Sequence, residues 1–267
     1  MSSTQSSTAA NQGRLWGVRA DDWARIQERQ VAPAYESALT ALSVGPGSRL
    51  LDAGCGAGMV LRLAADRGAD VTGLDASEGL LAHAGARVPG APLVQGDIED
   101  LPYEDASFDV VTGFNSFQYA ARPAVALAEA RRVAVANGRV LLLNWAPAEL
   151  CEASAYLMAL GALMPPAPAG APGPFALSET AALTALFEEV GLDVIAVEDV
   201  ECVWSYDDEE TAVAGLMCAG PVVGVIEHAG EEAIRATTRS FLQPFRIADG
   251  GYRITNVFRY VIGTPHS

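Results

Sequence analysis

The chain has 267 residues, 50% of them hydrophobic, with 33 acidic against 17 basic side chains and a net charge of −16. That length supports one elaborated domain with a full core better than two independent ones. The negative surplus repels phosphate backbones and anionic bilayer surfaces, which argues against nucleic acid or membrane as a partner and favours a small, weakly charged molecule.

Residues 1–13 combine Ser, Thr, Gln and Ala without a basic stretch leading into an apolar run, and are expected to form a disordered leader of a cytoplasmic protein. Residues 14–47 form an expected helical cover, helical from Trp16 to Leu42 with a break near Pro33 and large anchors at Trp16, Trp23, Ile26 and Tyr35. From Leu50 to Gly58 the chain reads Leu-Leu-Asp-Ala-Gly-Cys-Gly-Ala-Gly, an apolar strand running into a glycine turn. Gly54, Gly56 and Gly58 let the backbone bend sharply and approach a ligand, and the next helix aims its first N–H groups there while Val60, Leu63 and Ala64 face the core. Strands are expected at Val71–Leu74, Leu93–Gln95, Val110–Gly113 and Val140–Asn144, the first ending in Asp75. Their alternation with helices over 48–146 predicts a Rossmann-like, doubly wound α/β sheet.

Residues 147–267 complete the same domain. Glu149–Leu163 is expected to be helical, and Pro165, Pro166, Pro168, Pro172 and Pro174 form a mobile connection near the site entrance. Ser178 is the expected N-cap of a helix stopped by Gly191, and Asp207 caps another. Strands at Val194–Trp204 and Tyr252–Ile262 bracket two helices forming a lid. Thr211–Ile226 is uncharged but too short to span a bilayer and is interrupted by Pro221. Cys55, Cys151, Cys202 and Cys218 have no metal-ligand or disulfide spacing and read as buried thiols; no metal is expected.

The glycine spacing separates two cofactor classes. A dinucleotide fingerprint needs its last glycine at Met59, whereas here the pattern is Gly-x-Gly-x-Gly preceded by Asp52, a carboxylate that repels a pyrophosphate and suits a cation. With Asp75, Gly96-Asp97-Ile98, Leu101-Pro102 and Ser107-Phe108-Asp109-Val110-Val111 following in order, the stretch from Arg49 to Trp145 resembles the class I S-adenosylmethionine-dependent methyltransferases, in particular their small-molecule and quinone-type branch. The resemblance implies a seven-stranded sheet of order 3-2-1-4-5-7-6 with the last strand antiparallel. It also implies S-adenosylmethionine as cofactor and S-adenosylhomocysteine as product. Asp52 would orient the methionine amino group beside the backbone of Gly54, Cys55, Gly56 and Gly58; Asp75, followed by Ala76, would hold the ribose. Asp97 and Ile98 would meet the adenine, and Trp23, Phe114 and Asn115 complete the expected cofactor set.

Open parallel sheets bind ligands beyond the carboxyl ends of their strands. That places Gln118, Tyr119 and Trp145 on the acceptor side, with Tyr35, Phe175 and Tyr206 as further candidates. Gln118-Tyr119 stands where many relatives carry His-His, which removes the obvious base; His228, in the lid, is the histidine placed to replace it, and Gln118, Tyr119 and His228 are the catalytic candidates. The expected chemistry is therefore methyl transfer dominated by positioning, on a small and mainly apolar metabolite of natural-product type. Alternatives are a cyclase or isomerase using the same cofactor, or a cofactor-binding protein without catalysis. The chain is expected to act as a monomer or homodimer.

Overall fold

A computed structural model describes residues 7–165 and 175–266. The proline-rich connection from Pro166 to Pro174 and the first six residues of the expected leader lie outside the described residues.

Seven strands form one sheet in the order β3-β2-β1-β4-β5-β7-β6. They are β1 (Arg49–Ala53), β2 (Asp70–Asp75), β3 (Leu93–Gln95), β4 (Phe108–Phe114), β5 (Ala134–Trp145), β6 (Leu192–Tyr206) and β7 (Tyr252–Pro265). β7 runs antiparallel to both its neighbours, and the remaining strands are parallel to one another. This is the expected strand order, with the last strand antiparallel.

The strands are apolar on both faces because helices cover both. Successive residues feed opposite cores: Leu50, Val110 and Leu141 point to one, Leu51, Val111 and Leu142 to the other. The first core is closed by α3 (Ala32–Ala41) and α4 (Met59–Asp66), the second by α6 (Pro123–Val133) and α8 (Thr180–Glu189). α5 (Glu78–Arg87) follows β2, its Ser77 cap accepting the Leu80 amide at 3.3 Å.

The N-terminus differs from the expected leader. α1 (Ala9–Gly17) is ordered by burying Leu15 and by packing against the segment after β2. Then come a short α2 (Ala20–Asp22), a π-helical turn over Trp23–Gln27 and a 3-10 turn over Glu28–Val31. Pro33 sits in the first turn of α3, where its missing N–H costs nothing, so it starts that helix.

Two caps are displaced. Asp208, one residue after the expected Asp207, accepts the Thr211 amide at 2.8 Å to begin α9 (Glu209–Met217). Ser178 makes no cap; α8 starts after Glu179, and the Ser178 carbonyl accepts from Arg259 at 2.9 Å. Glu149–Leu163 is shorter than expected, with α7 confined to Ser154–Gly161. The lid holds three helices, α9, α10 (Gly220–Ala229) and α11 (Glu231–Leu242), because the apolar run Thr211–Ile226 breaks between α9 and α10 with a 93° bend. No single helix among the described residues is long and apolar enough to cross a membrane.

Candidate active site

The glycine turn after β1 is held from three sides. The amides of Gly54 and Cys55 donate to the Leu74 carbonyl at 2.7 and 2.9 Å, tying β1 to β2. Gly54 has φ +86°, and a Cβ there would stand 2.3 Å from that of Ser116, whose hydroxyl donates to the Ala53 carbonyl at 2.7 Å. Gly56 donates its amide to Asp75 Oδ2 at 2.9 Å, and Ser77 donates to Oδ1 at 2.8 Å. Gly58, at φ +82°, lets α4 start against Ala84, so its role is packing.

Two amides leading into α4, those of Ala57 and Met59, are engaged within the protein. Glu28 Oε1 accepts from Ala57 at 3.1 Å and Met59 at 3.4 Å, and its other oxygen pairs with Arg87. Glu28 is 4% exposed; burial pushes its carboxyl upward and Arg87 pulls it back.

Beside this turn lies a cavity of about 100 Å³. Its floor is Gly54, Gly56, Asp75 and Ala76, with Asp97 and Ile98 at one end. Phe114, Asn115 and Ser116 form a side, and Thr8, Ala9 and Gln12 roof it, together with Trp16 and Trp23. Asp97 accepts from the Glu99 amide at 2.9 Å and from the Ser7 hydroxyl. Three residues of the expected cofactor set stand behind this wall and do not line it: Asp52, Cys55 and Gly58. Asp52 is fully buried and accepts the Thr112 hydroxyl at 2.8 Å; burial pushes it up to about 7 against that hydrogen bond, with Glu28 and Asp75 adding repulsion. Burial likewise raises Asp75, opposed by its backbone amides.

The donor set suits a nucleoside bearing a cation. Two carboxylates line the cavity with no cationic side chain beside them among the described residues, and Gln12 Oε1 is a buried acceptor without a partner. Thr8, Ala9 and Gln12 fall in the stretch expected as a leader; its short polar run carries no apolar period to mark a helix.

A larger cavity, about 390 Å³, opens alongside. Trp16, Trp23, Asn115 and Tyr119 line both cavities and form the wall between them. All four tryptophans of the chain line the larger one. Trp145 packs 4.7 Å from Phe258 and 5.5 Å from Trp204, while Leu216 and Val222 descend from the lid and Tyr156 from α7. Trp204 Nε1 and Gln118 Oε1 are buried in residues of this wall without partners. No charged side chain lines it among the described residues. Asn115 adopts φ +52°, a left-handed conformation that asparagine tolerates and that turns the chain at the junction of the two cavities.

No side chain here is a base near neutral pH. Burial pushes Tyr119 up to about 12, with the neighbouring Gln118 amide pulling slightly the other way. The Tyr156 hydroxyl is engaged with Thr238 Oγ1 at 3.0 Å and is raised above the ordinary phenol range by burial. Four expected residues lie elsewhere. His228 is exposed near the end of α10 and touches neither cavity. Tyr35 is buried edge-on against Phe114, 5.0 Å away. Phe175 stands behind Trp145 at 5.9 Å. Tyr206 reaches the larger cavity only through Gln27, to which its hydroxyl donates at 2.7 Å. Gln27, Tyr156, Trp204 and Gly215 belong to the wall and were not expected there; they come from four separate elements with no shared motif.

Residues 51–142 match the family described as "Methyltransferase domain". A demethylmenaquinone methyltransferase of Beutenbergia cavernae is 36% identical over 116 residues, 42% of this chain and 48% of that protein. The chain spans about half or less of the length of the curated relatives it matches first. Among solved structures, a putative methyltransferase from Bacillus halodurans superposes with a TM-score of 0.59 at 17% identity, covering 87% of this chain and 99% of the other. The [4+2]-cyclase SpnF superposes at 0.57 and 18% identity, covering 91% and 84%. These likenesses establish the Rossmann-like fold, which serves more than one chemistry.

Proposed function

Residues 51–142 belong to the methyltransferase-domain family, and on that premise we propose that the chain transfers a methyl group from S-adenosylmethionine to a small, largely apolar molecule. The observation that carries this reading is the shared wall: a carboxylate-lined cavity beside the glycine turn abuts a larger, uncharged aromatic one across Trp16, Trp23, Asn115 and Tyr119. When bound, S-adenosylmethionine supplies a methyl carbon activated by its sulfonium.

The remaining work belongs to the chain. Asp75, steadied by the Gly56 and Ser77 amides, keeps lone pairs for the ribose hydroxyls, and Asp97 with the Ile98 amide meets the adenine. Trp16, Trp23 and Tyr119 exclude water at the junction, and the aromatic walls align the acceptor. Since Tyr119 keeps its proton and His228 lies outside, the acceptor brings its own nucleophile: a neutral amine, a thiol, an acidic hydroxyl or an activated carbon. The same features suit a cytoplasmic enzyme of natural-product metabolism that needs no metal.

The test is to incubate the protein with methyl-labelled S-adenosylmethionine and a panel of small aromatic phenols, amines and quinols, following label transfer and S-adenosylhomocysteine. No transfer to any acceptor, with no cofactor uptake by calorimetry, sinks the reading. A second reading, favoured by the likeness to the cyclase, uses the cofactor's charge to assist a ring closure; acceptor conversion without S-adenosylhomocysteine would select it.

A further inference from the structure

Three side-chain amides line the larger cavity, and while Gln118 and Asn115 face each other at 3.5 Å, Gln27 is oriented from outside the cavity. Gln27, at the end of the π-helical turn, is 4% exposed, and its Oε1 accepts the Tyr206 hydroxyl at 2.7 Å. With that oxygen engaged, Nε2 is the half of the amide left for the cavity, and it donates to no group among the described residues.

Gly215 of α9 shows how tightly this pair is built. A Cβ at 215 would stand 2.9 Å from Gln27 Oε1 and 2.9 Å from the Tyr206 ring. Its φ is not in the left-handed region, so glycine is required by close approach rather than by backbone conformation. The N-terminal turn, β6 and α9 thus converge to set the orientation of a single NH2 group.

We propose that Gln27 is the specificity residue of this cavity, donating to a carbonyl, ether or hydroxyl oxygen of an uncharged, ring-bearing molecule, and that Tyr206 is its positioning residue. This rests on reading the cavity as the acceptor site. A neutral donor in an aromatic, charge-free wall favours a neutral oxygen: a carboxylate or ammonium ligand would be desolvated without a counter-charge. Without Tyr206 the amide turns freely, presents Oε1 as readily as Nε2, and loses its discrimination.

The full-length protein saturated with S-adenosylhomocysteine is titrated with 1-tetralone and with tetralin, the same bicycle lacking the carbonyl. Intrinsic fluorescence is the readout because every tryptophan lines the cavity. The wild type binds 1-tetralone about ten-fold tighter than tetralin. Gln27→Leu abolishes that ratio while leaving tetralin affinity within about three-fold, and Tyr206→Phe reduces the ratio to about three-fold or less. A merely structural role for Tyr206 would weaken both probes equally. S-adenosylhomocysteine affinity in each variant reports an intact fold; should Gln27→Leu not fold, Tyr206→Phe decides. A ratio that survives either substitution in folded protein overturns the proposal. So does a wild type that binds S-adenosylhomocysteine but shows no preference or no binding of either probe, and that result leaves the methyltransferase reading standing. A wild type that takes up no S-adenosylhomocysteine overturns both.

Discussion

The buried carboxylate of Glu28 accepts the Ala57 amide of the glycine turn at 3.1 Å. Residues 23–28 therefore serve three places at once: Trp23 stands in the wall between the cavities, Gln27 faces the larger one, and Glu28 braces the turn that floors the smaller one. Arg87 holds Glu28 from α5 and also donates to the Ala24 carbonyl at 2.9 Å. Glu28→Ala leaves Arg87 unpaired and two amides of the turn unsatisfied. The expected outcome is about ten-fold weaker S-adenosylhomocysteine binding by calorimetry and about 2–4 kcal/mol lost in denaturant unfolding. Glu28→Gln, which keeps an acceptor oxygen, loses less of both. Unchanged affinity in Glu28→Ala would show that the turn holds its shape unaided.

Asp75 is the sharper test of the cofactor cavity. Its oxygens each accept one backbone amide and the residue lines the cavity, so Asp75→Ala removes the acceptors proposed for the ribose together with a restraint on Gly56. Charge-assisted hydrogen bonds are about twice as strong as neutral ones, and losing two of them weakens cofactor binding by about a hundred-fold or more. Calorimetric titration that finds Asp75→Ala binding like the wild type would mean the nucleoside lies elsewhere.

The parallel half of the sheet was legible because local signals there are dense: apolar strands on both faces, a glycine turn whose φ values exclude other residues, and acids at strand ends. Gly54, Asp75 and Asp97 line the cavity for those local reasons. The wall of the larger cavity was legible only in part: Gln118, Tyr119 and Trp145, expected at the ends of β4 and β5, line it, whereas Trp204 and Gln27 carry no local mark. Trp204 alternates along β6 as any core aromatic does, and Gln27 joins the wall only because Tyr206, some 180 positions later, orients it. Such pairings depend on how the lid folds back, which spacing along the chain does not encode. Asp52, expected beside the methionine amino group, is instead buried behind the glycines and bonded to Thr112. Most of α1 falls in the stretch expected as a leader because Ala9–Gly17 is short and only Leu15 is buried along it, so its order comes from the surface it lands on.

Asp52 predicts a pH dependence. It loses its proton near 4 when unfolded and at about 7 when folded, so across that window the folded chain holds a proton that the unfolded chain has released. Stability therefore falls as pH rises from about 4 to 7. Thermal melts of ligand-free protein should show the wild type losing about 5 °C relative to Asp52→Asn between pH 5 and 8. Cation binding has the opposite sign, since ionised Asp52 attracts a sulfonium. Affinity for S-adenosylmethionine relative to neutral-sulfur S-adenosylhomocysteine should rise about three-fold from pH 6 to 8 in the wild type and stay flat in Asp52→Asn. Parallel profiles for the two proteins would remove Asp52 from the electrostatics of the site.

Gly13 tests whether α1 closes the smaller cavity, proposed to hold the cofactor. A Cβ at this position would stand 2.2 Å from the Ala76 carbonyl oxygen, so only glycine lets α1 lie this close to the chain just after Asp75. The helix is otherwise tied by buried Leu15 and by Trp16 packing on α10 at Gly220, by the Thr8 hydroxyl donating to the Tyr119 carbonyl at 2.7 Å, and by the exposed pair Arg14–Glu227, which is worth little in water. Beneath it the cavity measures about 100 Å³, short of the roughly 300–1,000 Å³ of small-molecule sites, and the expectation under test is that α1 lifts to admit the proposed nucleoside and then settles over it. Gly13→Ala holds the helix off its seat. S-adenosylhomocysteine should then dissociate about ten-fold faster in a stopped-flow chase, and amides of residues 9–17 should exchange faster with solvent. The melting temperature should fall by only about 2 °C, because neither of the two cores flanking the sheet includes α1. A variant whose α1 exchange and ligand release match the wild type would show that the nucleoside is held without this helix.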